Sequence, residues 1–567
     1  MRRLRSIAMK ATAALLWTLF VLATSQLAEV FSDDEYPVIT LPQGALKGRK
    51  VTPDNLSPYY SFLGIPYGKP PVGNLRFKAP VPAEPWNGTL EALKEGYMCK
   101  QPAGFIRDSD SDEDCLFLNV FTPELPGSGS LKPVMVWIHG GGFISGSGNQ
   151  ERQGPQFLIN KGIVYVSINY RLGIFGFLST EDEVVPGNAG LKDQVLALRW
   201  VQQNIAAFGG DPNQVTIVGE SAGGASIHYH MLSPMSKGLF HGAIGQSGST
   251  SCAWTIADKP RKNAFLVGKA LGFTGESSQD LVDFLRNVSS DELLTTSIAT
   301  VNEEDQFRLM SKFHELPSLE PVIEGETAFI TEDPLTLLDE GKFHNVPYLT
   351  GVTSEEGIFL VTAGIFQNNR TLEEVDEDFS RTFKPELRIC REDSCGDEMI
   401  PKIRSFYFGD KPLSNDTLEE LVHMCTDMSF HEGVLHGVKK MSSLSSAPVY
   451  FYQFSYEGSL GLPHLIKVPG AAHGDDIPYI FDTGAQVSDD SLDAKVRSRM
   501  VTLWTNFIKT GNPTPEVTEE FPAWLPYTSD ATNYLDIGSQ LEAKKDLHKT
   551  RMDFWEDLYS LGKKHKY

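Results

Sequence analysis

The chain has 567 residues and a formal net charge of −23 at neutral pH. Its length exceeds the usual size of one domain, and length alone therefore suggests two or more domains. The acidity disfavours nucleic acid as a partner, because like charges repel the phosphate backbone. A hydrophobic content of 41% and a charged content of 22% are ordinary for a globular protein.

The N-terminus indicates secretion. A basic stretch precedes a short apolar run at residues 11–23, and small residues then permit cleavage before Gln26 or nearer Ala28. An uncleaved anchor is the alternative, but the run is short for a membrane span of ~20 residues. No later stretch has the length and apolar character of a span. We expect residues 1–25 to be a signal peptide and the mature protein to be extracellular, without a membrane span.

Five N-x-[ST] motifs fit an extracellular location, and such motifs also arise by chance. The motif at Asn55 is the weakest because Pro58 follows its serine. We expect sugar on most of the others, which are Asn87, Asn287, Asn369 and Asn415.

The chain has six cysteines, and an oxidising compartment permits disulfides. Cys99 and Cys115 would close a small loop and form the favoured pair. A bond between Cys390 and Cys395 is plausible but tight. Cys252 and Cys425 remain, either free or paired, since sequence does not decide connectivity.

The first half of the chain alternates strand and helix patterns. A hairpin is predicted at residues 35–50 with its turn at Gln43-Gly44, and the Pro-rich stretch 62–80 is predicted to be irregular because proline interrupts ladders. Apolar residues at helical spacing predict a helix over residues 191–206. Strands are predicted at residues 116–121, 134–138, 163–169 and 215–218. This alternation implies an α/β fold, a mostly parallel sheet with helices on both faces.

The second half is richer in helix patterns. Further sheet strands are predicted at residues 347–352 and 449–456, with long insertions between them. Helices are predicted at residues 264–271, 280–287, 417–429 and 492–508. The acidic run at residues 107–114 is interpreted as a solvated loop. No stretch has the composition of a flexible linker, and we therefore predict one domain over residues 26–567.

The segment Gly219-Glu220-Ser221-Ala222-Gly223 matches the nucleophile elbow G-x-S-x-G. A β-branched strand precedes it and an apolar helix follows. The tight reversal leaves no room for a Cβ two residues before or after the serine, and glycine satisfies that need. A glycine-serine surface loop is the alternative, which the flanking strand and helix disfavour.

A serine hydroxyl needs a base to become a nucleophile, and the base needs an acid to orient it. After an elbow the expected chain order is serine, acid, histidine. Glu355 and Glu356 both follow the predicted strand 347–352, and either one could serve by position. His473 lies in a small-residue loop and is the favoured base. The histidines downstream of Ser221 that could serve by chain order are His423, His431, His436, His464, His473, His548 and His565.

A glycine-rich loop, His139-Gly140-Gly141-Gly142-Phe143, follows the predicted strand 134–138. It matches the HGGG type of oxyanion loop, whose amides, together with the amide of Ala222, would stabilise a tetrahedral oxyanion. His228 and His230 are expected to pack or to face solvent. No metal-binding motif is present in the sequence, and this chemistry needs no cofactor.

These segments resemble the carboxylesterase/cholinesterase family, the type-B carboxylesterases of the α/β-hydrolase fold. The resemblance extends from about Val38 to about Tyr559. The segments that carry it are FGGDPNQVTIVGESAG at 208–223, EDCLFLNVFTP at 113–123, FLGIPYGKPPVGNLRFKAP at 62–80, NYRLGIFGFLS at 169–179 and GNAGLKDQ at 187–194.

The resemblance implies a role for particular residues. Ser221 would be the nucleophile, Glu356 the acid and His473 the base, which favours Glu356 over Glu355. Gly141, Gly142 and Ala222 would form the oxyanion hole. Cys99–Cys115 would be the family's first disulfide.

Within the family, the phrases SPMSKGLF, FYFGDKP and APVYFY are similar to secreted insect carboxylesterases and juvenile-hormone-esterase-like enzymes. Two departures matter. The loop between Cys99 and Cys115 lacks the tryptophan that cholinesterases use to stack choline, which disfavours acetylcholine as substrate. Juvenile hormone esterases typically have glutamine at the position of Glu220, which disfavours a dedicated hormone role.

The sequence thus predicts a secreted serine carboxylesterase that forms an acyl-enzyme. Small to medium apolar esters are the expected substrates, including xenobiotic, odorant or hormone esters. Two alternatives stay open: a specialised juvenile hormone or odorant esterase, and a non-catalytic binding protein of the neuroligin kind. The second is disfavoured because the catalytic residue types are all present. The sequence does not predict the oligomeric state.

Overall fold

The computed structural model describes residues 35–53, 57–102, 111–127, 129–151, 153–301, 305–309, 315–389, 394–461 and 465–564. The predicted signal peptide lies outside these ranges. So do Asn55, Cys390, His464 and His565, and so does the first half of the acidic run, residues 107–110.

The described strands form one large sheet and two small ones. The large sheet has eleven strands in the order β16-β15-β14-β13-β12-β11-β9-β10-β8-β4-β3. The strands are β1 (Val38–Leu41), β2 (Gly44–Lys47), β3 (Arg49–Val51), β4 (Tyr59–Pro66), β5 (Thr89–Glu91), β6 (Met98–Cys99), β7 (Ser111–Asp112), β8 (Phe117–Thr122), β9 (Lys132–Ile138), β10 (Val164–Ile168), β11 (Gly210–Glu220), β12 (Gly242–Gln246), β13 (Tyr348–Thr353), β14 (Val449–Phe454), β15 (Asn533–Ile537) and β16 (Leu541–Lys545).

The centre of the large sheet is parallel. Strands β10, β9, β11, β12, β13, β14 and β15 pair in parallel in that order, while β8, β4 and β3 at one edge and β16 at the other pair antiparallel. The carboxyl ends of the parallel strands therefore meet at one edge of the sheet, where α/β proteins place their ligand sites. The predicted mostly parallel α/β fold is confirmed.

Helices cover the sheet. The α-helices are α1 (Gln156–Ile159), α2 (Gly173–Phe177), α3 (Ala189–Asn204), α4 (Ala222–Leu232), α5 (Pro260–Ala270), α6 (Ser278–Arg286), α7 (Ser290–Ala299), α8 (Pro334–Asp339), α9 (Gly357–Val361), α10 (Leu372–Glu377), α11 (Phe379–Phe383), α12 (Ser394–Phe408), α13 (Leu418–Thr426), α14 (Glu432–Leu444), α15 (Leu492–Thr510) and α16 (Lys549–Lys564). Two π-helical turns, Thr362–Phe366 and Asp427–His431, follow α9 and α13. Across the described ranges, no helix combines the length and apolar character needed to cross a membrane.

The apolar core lies on both faces of the sheet, and β9 shows how. Val134, Val136 and Ile138 pack into one buried cluster, while Met135 and Trp137 pack into a second cluster on the opposite face. Successive strand side chains point to opposite faces, so a strand covered on both sides is apolar at every position. This explains the continuous apolar runs of the central strands.

Two local predictions are revised by the structure. The start of the Pro-rich stretch 62–80 is not irregular, because Phe62 to Pro66 belongs to β4 and pairs with β8. Proline is tolerated there because Pro66 is the last residue of the strand, and Gly64, with φ of 66°, lies where the register shifts. The turn of the first hairpin lies at residues 42–43, one position before the predicted one.

Candidate active site

Ser221 lies at the tip of a sharp turn between β11 and α4. Its φ of 59° and ψ of −122° are strained for a non-glycine residue. A Cβ on Gly219 would lie 2.6 Å from the Gly223 carbonyl carbon, and a Cβ on Gly223 would lie 2.1 Å from Ile138 O. Both glycines are therefore required by close backbone approach, as the elbow motif predicts.

His473 contacts both Ser221 and Glu356. Its Nδ1 lies 2.5 Å from Glu356 Oε2, and its Nε2 lies 2.8 Å from Ser221 Oγ. A carboxylate accepts hydrogen bonds, so Nδ1–H donates to Glu356 and Nε2 is left to accept from the serine hydroxyl. The serine is thus placed to lose its proton to the imidazole.

Glu356 is completely buried and held at both oxygens. The Thr353 amide and the Ser247 hydroxyl donate to Oε1 at 2.8 and 2.6 Å, which leaves Oε2 for His473. Buried carboxylates require such donors. Ser247 was not singled out from the sequence, because its contact with Glu356 joins two different strand ends.

The neighbouring glutamate points elsewhere. Glu355 Oε1 lies 3.2 Å from His423 Nε2, and the Glu355 amide donates to Ala471 O. The structure therefore separates the two glutamates that sequence position left open: Glu356 contacts the imidazole of His473, and Glu355 supports the loop before it.

The other candidate histidines within the described ranges contact groups other than Ser221. His431 is buried, with Nε2 donating to Thr353 O at 2.8 Å, and its ring stacks on that of His548. His436 Nδ1 lies 3.1 Å from Ser251 Oγ. His228 and His230, on α4, are also buried, and burial lowers the pKa of each, to about 4 and about 3. Among the described residues, no group of His, Cys, Asp and Glu could hold a metal ion.

The glycine loop after β9 lies against the elbow. A Cβ on Gly140 would lie 3.0 Å from Ser221 Cβ. Gly141 and Gly142 have φ of 105° and 61°, a left-handed region that favours glycine. Ala222 is the first residue of α4, where backbone amides are unsatisfied within the helix. The loop and the helix start thus provide amides beside the serine.

Glu220 is a functional candidate that the sequence reasoning used only to judge substrate class. Its Oε1 lies 3.2 Å from His473 Nε2, the nitrogen that faces Ser221. Burial raises the pKa of Glu220 to about 7. Burial acts to lower the pKa of His473, but Glu220 and Glu356 outweigh it and raise that pKa to about 9. Its place next to the elbow serine was the signal available in the sequence.

Aromatic side chains surround the imidazole. The rings of Phe359 and Phe430 lie 5.3 and 4.6 Å from the His473 ring, centroid to centroid. Trp254 packs against Phe430 at 5.7 Å. These rings give the imidazole an apolar aromatic setting.

The predicted disulfide between Cys99 and Cys115 is present, with a Cα–Cα distance of 4.9 Å. Cys252 and Cys425 are buried and free, and Cys395 is disulfide-bonded. Asn87, Asn287, Asn369 and Asn415 are all exposed.

Comparison with known proteins agrees with this geometry. Residues 35–555 match the Carboxylesterase family. The chain is 38% identical to Esterase FE4 of Myzus persicae over 548 residues, which cover 92% of each protein. It is 36% identical to a juvenile hormone esterase of Tribolium castaneum over 515 residues, covering 85% of this chain and 84% of that protein.

A solved structure is also similar. The crystal structure of juvenile hormone esterase from Manduca sexta with OTFP covalently attached has a TM-score of 0.82 and 30% identity, and the match covers 93% of this chain and all of that one. The chain belongs to the Carboxylesterase family, and its fold is that of an α/β-hydrolase. It is a carboxylic ester hydrolase, and the resemblance seen in the sequence is confirmed.

Proposed function

We propose that the protein is a secreted serine carboxylesterase whose catalytic triad is Ser221, His473 and Glu356. The observation that carries this proposal is the continuous hydrogen-bonded line from Ser221 Oγ through the imidazole to Glu356 Oε2. This arrangement converts a weakly nucleophilic hydroxyl into one that can attack an ester carbonyl.

The first half of the reaction forms an acyl-enzyme. Ser221 Oγ attacks the carbonyl carbon while His473 Nε2 takes its proton, and the buried Glu356 carboxylate stabilises the imidazolium. The amides of Gly141, Gly142 and Ala222 stabilise the oxyanion of the tetrahedral intermediate. The imidazolium then gives its proton to the alkoxide leaving group, and the alcohol departs.

The second half releases the acid. His473 removes a proton from water, and the hydroxide attacks the acyl carbon of the Ser221 ester. The tetrahedral intermediate collapses, Ser221 Oγ leaves and regains its proton from His473, and the carboxylic acid departs. Every step uses side chains and amides of this chain, together with water.

Small to medium apolar esters are the proposed substrates. The rings of Phe359 and Phe430 against His473, with Trp254 behind Phe430, give the reacting centre an apolar setting. Such a surface favours apolar acyl or alkyl groups by burying them from water. A dedicated hormone esterase is the second candidate, because two of the similar proteins are juvenile hormone esterases.

Secretion is part of the same proposal. It is supported by the basic and apolar N-terminus, by the disulfide Cys99–Cys115 and by the exposure of four asparagines in N-x-[ST] motifs.

We also propose that residues 26–567 form one domain, since a single sheet includes strands from Arg49 to Lys545.

The test is hydrolysis of p-nitrophenyl esters of increasing acyl length by the secreted protein and by Ser221→Ala. We expect turnover by the parent and its loss in Ser221→Ala, with an optimum at short to medium chains. Ser233→Ala is the matched control, since Ser233 is a buried serine just past the end of the same helix. A parent that is folded yet inactive on the whole series would contradict the broad-specificity proposal.

A further inference from the structure

The long helical segment that passes the catalytic imidazole is not regular. Between α13 and α14 it contains the π-helical turn Asp427–His431. Such turns are rare and often occur at functional sites, because they displace a side chain from its α-helical position. The displaced region here includes Phe430, whose ring lies 4.6 Å from that of His473. The geometry of the π turn therefore sets the position of the Phe430 ring against the imidazole of His473.

On the active-site side, two side chains donate to backbone carbonyls of the π turn. The Trp254 indole N–H donates to Ser429 O at 2.9 Å, and the Cys252 thiol lies 3.8 Å from Phe430 O. Two consecutive carbonyls of the turn thus have side-chain donors. Gly433, just after the turn, permits this approach, because a Cβ there would lie 2.8 Å from Cys252.

The opposite side of the π turn is held by its first residue. Asp427 is completely buried, and its carboxylate accepts from the Tyr407 hydroxyl at 2.6 Å and from Arg551 Nη2 at 2.9 Å. Arg551 Nε lies 2.8 Å from the other carboxylate oxygen. Removing one partner of a buried ion pair destabilises the fold, because the other charge is left buried without a partner and without water. The turn therefore depends on Arg551.

Arg551 belongs to the C-terminal helix, α16, and two further side chains of this segment support its contact with the turn. The Trp555 indole N–H donates to the Tyr407 hydroxyl at 2.8 Å. His548, just before α16, stacks on His431 at the other end of the turn, with ring centroids 5.4 Å apart and an interplanar angle of 12°. The C-terminal helix thus contacts the first residue of the π turn through Arg551, and His548, just before that helix, contacts the last.

The last residue of the turn also reaches the catalytic acid. His431 Nε2 donates to Thr353 O, and the Thr353 amide donates to Glu356 Oε1. One short turn therefore links α16 to two groups around His473: the ring of Phe430 on one side and the backbone that orients Glu356 on the other.

We propose that Arg551 and Asp427 are positioning residues for the esterase reaction, through which the C-terminal helix fixes the π turn and so sets Phe430 against His473. This inference rests on the proposed role of His473 as the base. Neither residue contacts the reacting atoms. Their loss releases the turn, and Phe430 and the Thr353 backbone then hold the imidazole and its acid less well.

The experiment compares Arg551→Met with Arg499→Met. Arg499 controls for the loss of a mostly buried, paired guanidinium: its side chain is 11% exposed against 17% for Arg551, and its Nε lies 3.2 Å from Glu520 Oε1. The Glu520 side chain is 56% exposed, whereas that of Asp427 is fully buried, so a double-mutant cycle is needed as well to separate positioning from the loss of a buried ion pair. We expect kcat/KM for a p-nitrophenyl ester to fall between about tenfold and a hundredfold in Arg551→Met, since displacement of a catalytic group by 1 Å can have that effect. Arg499→Met should retain parental activity.

A double-mutant cycle separates positioning from general destabilisation. If Arg551 acts through Phe430, the loss caused by Arg551→Met must shrink in a Phe430→Leu background. Full additivity of the two losses, or an equal loss in Arg499→Met, would overturn the proposal. Tyr407→Phe removes one hydrogen bond from Asp427 while keeping the ring, and it replaces Arg551→Met in the cycle if that variant does not fold.

Hydrogen–deuterium exchange distinguishes failure of this inference from failure of the proposed function. Peptides that cover residues 421–435 should exchange faster in Arg551→Met than in the parent or in Arg499→Met, whether or not an ester is hydrolysed. Unchanged exchange there would overturn the role of α16. Faster exchange together with an inactive parent would support the link between α16 and the turn and would instead contradict the proposed esterase chemistry.

Discussion

Glu220 and Ser221 are adjacent in the chain and face the same atom. Glu220 Oε1 lies 3.2 Å from His473 Nε2, and Ser221 Oγ lies 2.8 Å from it. The imidazole of His473 therefore has a carboxylate at each nitrogen, Glu220 at Nε2 and Glu356 at Nδ1. Both carboxylates favour the protonated imidazole, which connects this geometry to the pH dependence of the reaction.

The first prediction concerns that pH dependence. An imidazolium cannot accept the Ser221 proton, so activity should rise as pH increases through the pKa of His473, which is raised to about 9. Glu220→Gln removes one of the carboxylates that raise this pKa, and the rising limb of kcat/KM against pH should move to lower pH. Glu355→Gln is the control, because that carboxylate contacts His423 instead. A limb that stays in place or moves to higher pH would contradict the assignment.

The second prediction separates the two consecutive glutamates. Glu356→Gln should lower kcat by about 10⁴, the loss seen when a triad acid becomes an amide and the imidazole takes the wrong tautomer. Glu355→Gln should retain most activity, since its side chain points to His423. Steady-state kinetics on one p-nitrophenyl ester suffices. Equal losses in both variants would show that position after β13, rather than contact with His473, explains the effect.

The third prediction concerns the glycine loop. Gly141→Ala places a Cβ 2.2 Å from Ser145 O at a φ of 105°, so the loop must move and its amides with it. We expect kcat to fall by about 10²–10³, as for loss of one oxyanion donor. Gly238→Ala is the matched control, because Gly238 has a φ of 77° but nothing within 4 Å of the added Cβ. If both variants keep parental kcat, the loop does not stabilise the oxyanion.

The fourth prediction concerns the disulfide. Cys99 and Cys115 are 16 residues apart, and closing a loop of that length stabilises the folded state by about 3 kcal/mol in the chain-entropy description. The double variant Cys99→Ser/Cys115→Ser should therefore unfold at lower urea concentration while its kcat changes little, since the bond lies outside the proposed triad. An unchanged unfolding midpoint would contradict this expectation.

The fifth prediction concerns sugar. Protein secreted from insect cells should lose mass on treatment with peptide N-glycosidase F, because the four described asparagines of the motifs are exposed. Replacing one of these asparagines by glutamine should reduce the loss of mass by the contribution of one glycan if that site is occupied. No loss of mass from the parent would contradict glycosylation and would weaken the proposal of secretion. The positions are Asn87, Asn287, Asn369 and Asn415.

The sequence by itself determined what depends on local chemistry. The glycines around Ser221 and in the loop after β9 are required because the backbone comes too close there for a Cβ. Such a requirement appears as a short glycine pattern that can be recognised in the sequence. The alternation of apolar strands and amphipathic helices likewise predicts a parallel sheet, because the spacing of apolar residues within each segment distinguishes a helix from a strand. The resemblance to the family added the choice of Glu356 over Glu355 and the residues expected to form the oxyanion hole.

Tertiary structure alone decided how distant segments meet. Sequence position left Glu355 and Glu356 equivalent, and the resemblance to the family only implied a choice between them. The physical separation comes from the loop of His473, which is 117 residues after Glu356 in the chain and contacts the carboxylate of Glu356 but not that of Glu355. The strand character of residues 62–66 was hidden by the prolines after them, because pairing with β8 depends on a partner remote in the chain. The π turn at Asp427–His431 has no local signal either, since the donors that hold it come from the segment of Trp254 and from the C-terminal helix. Contacts between remote segments are set by packing of the whole sheet and its helices, and no local pattern specifies them.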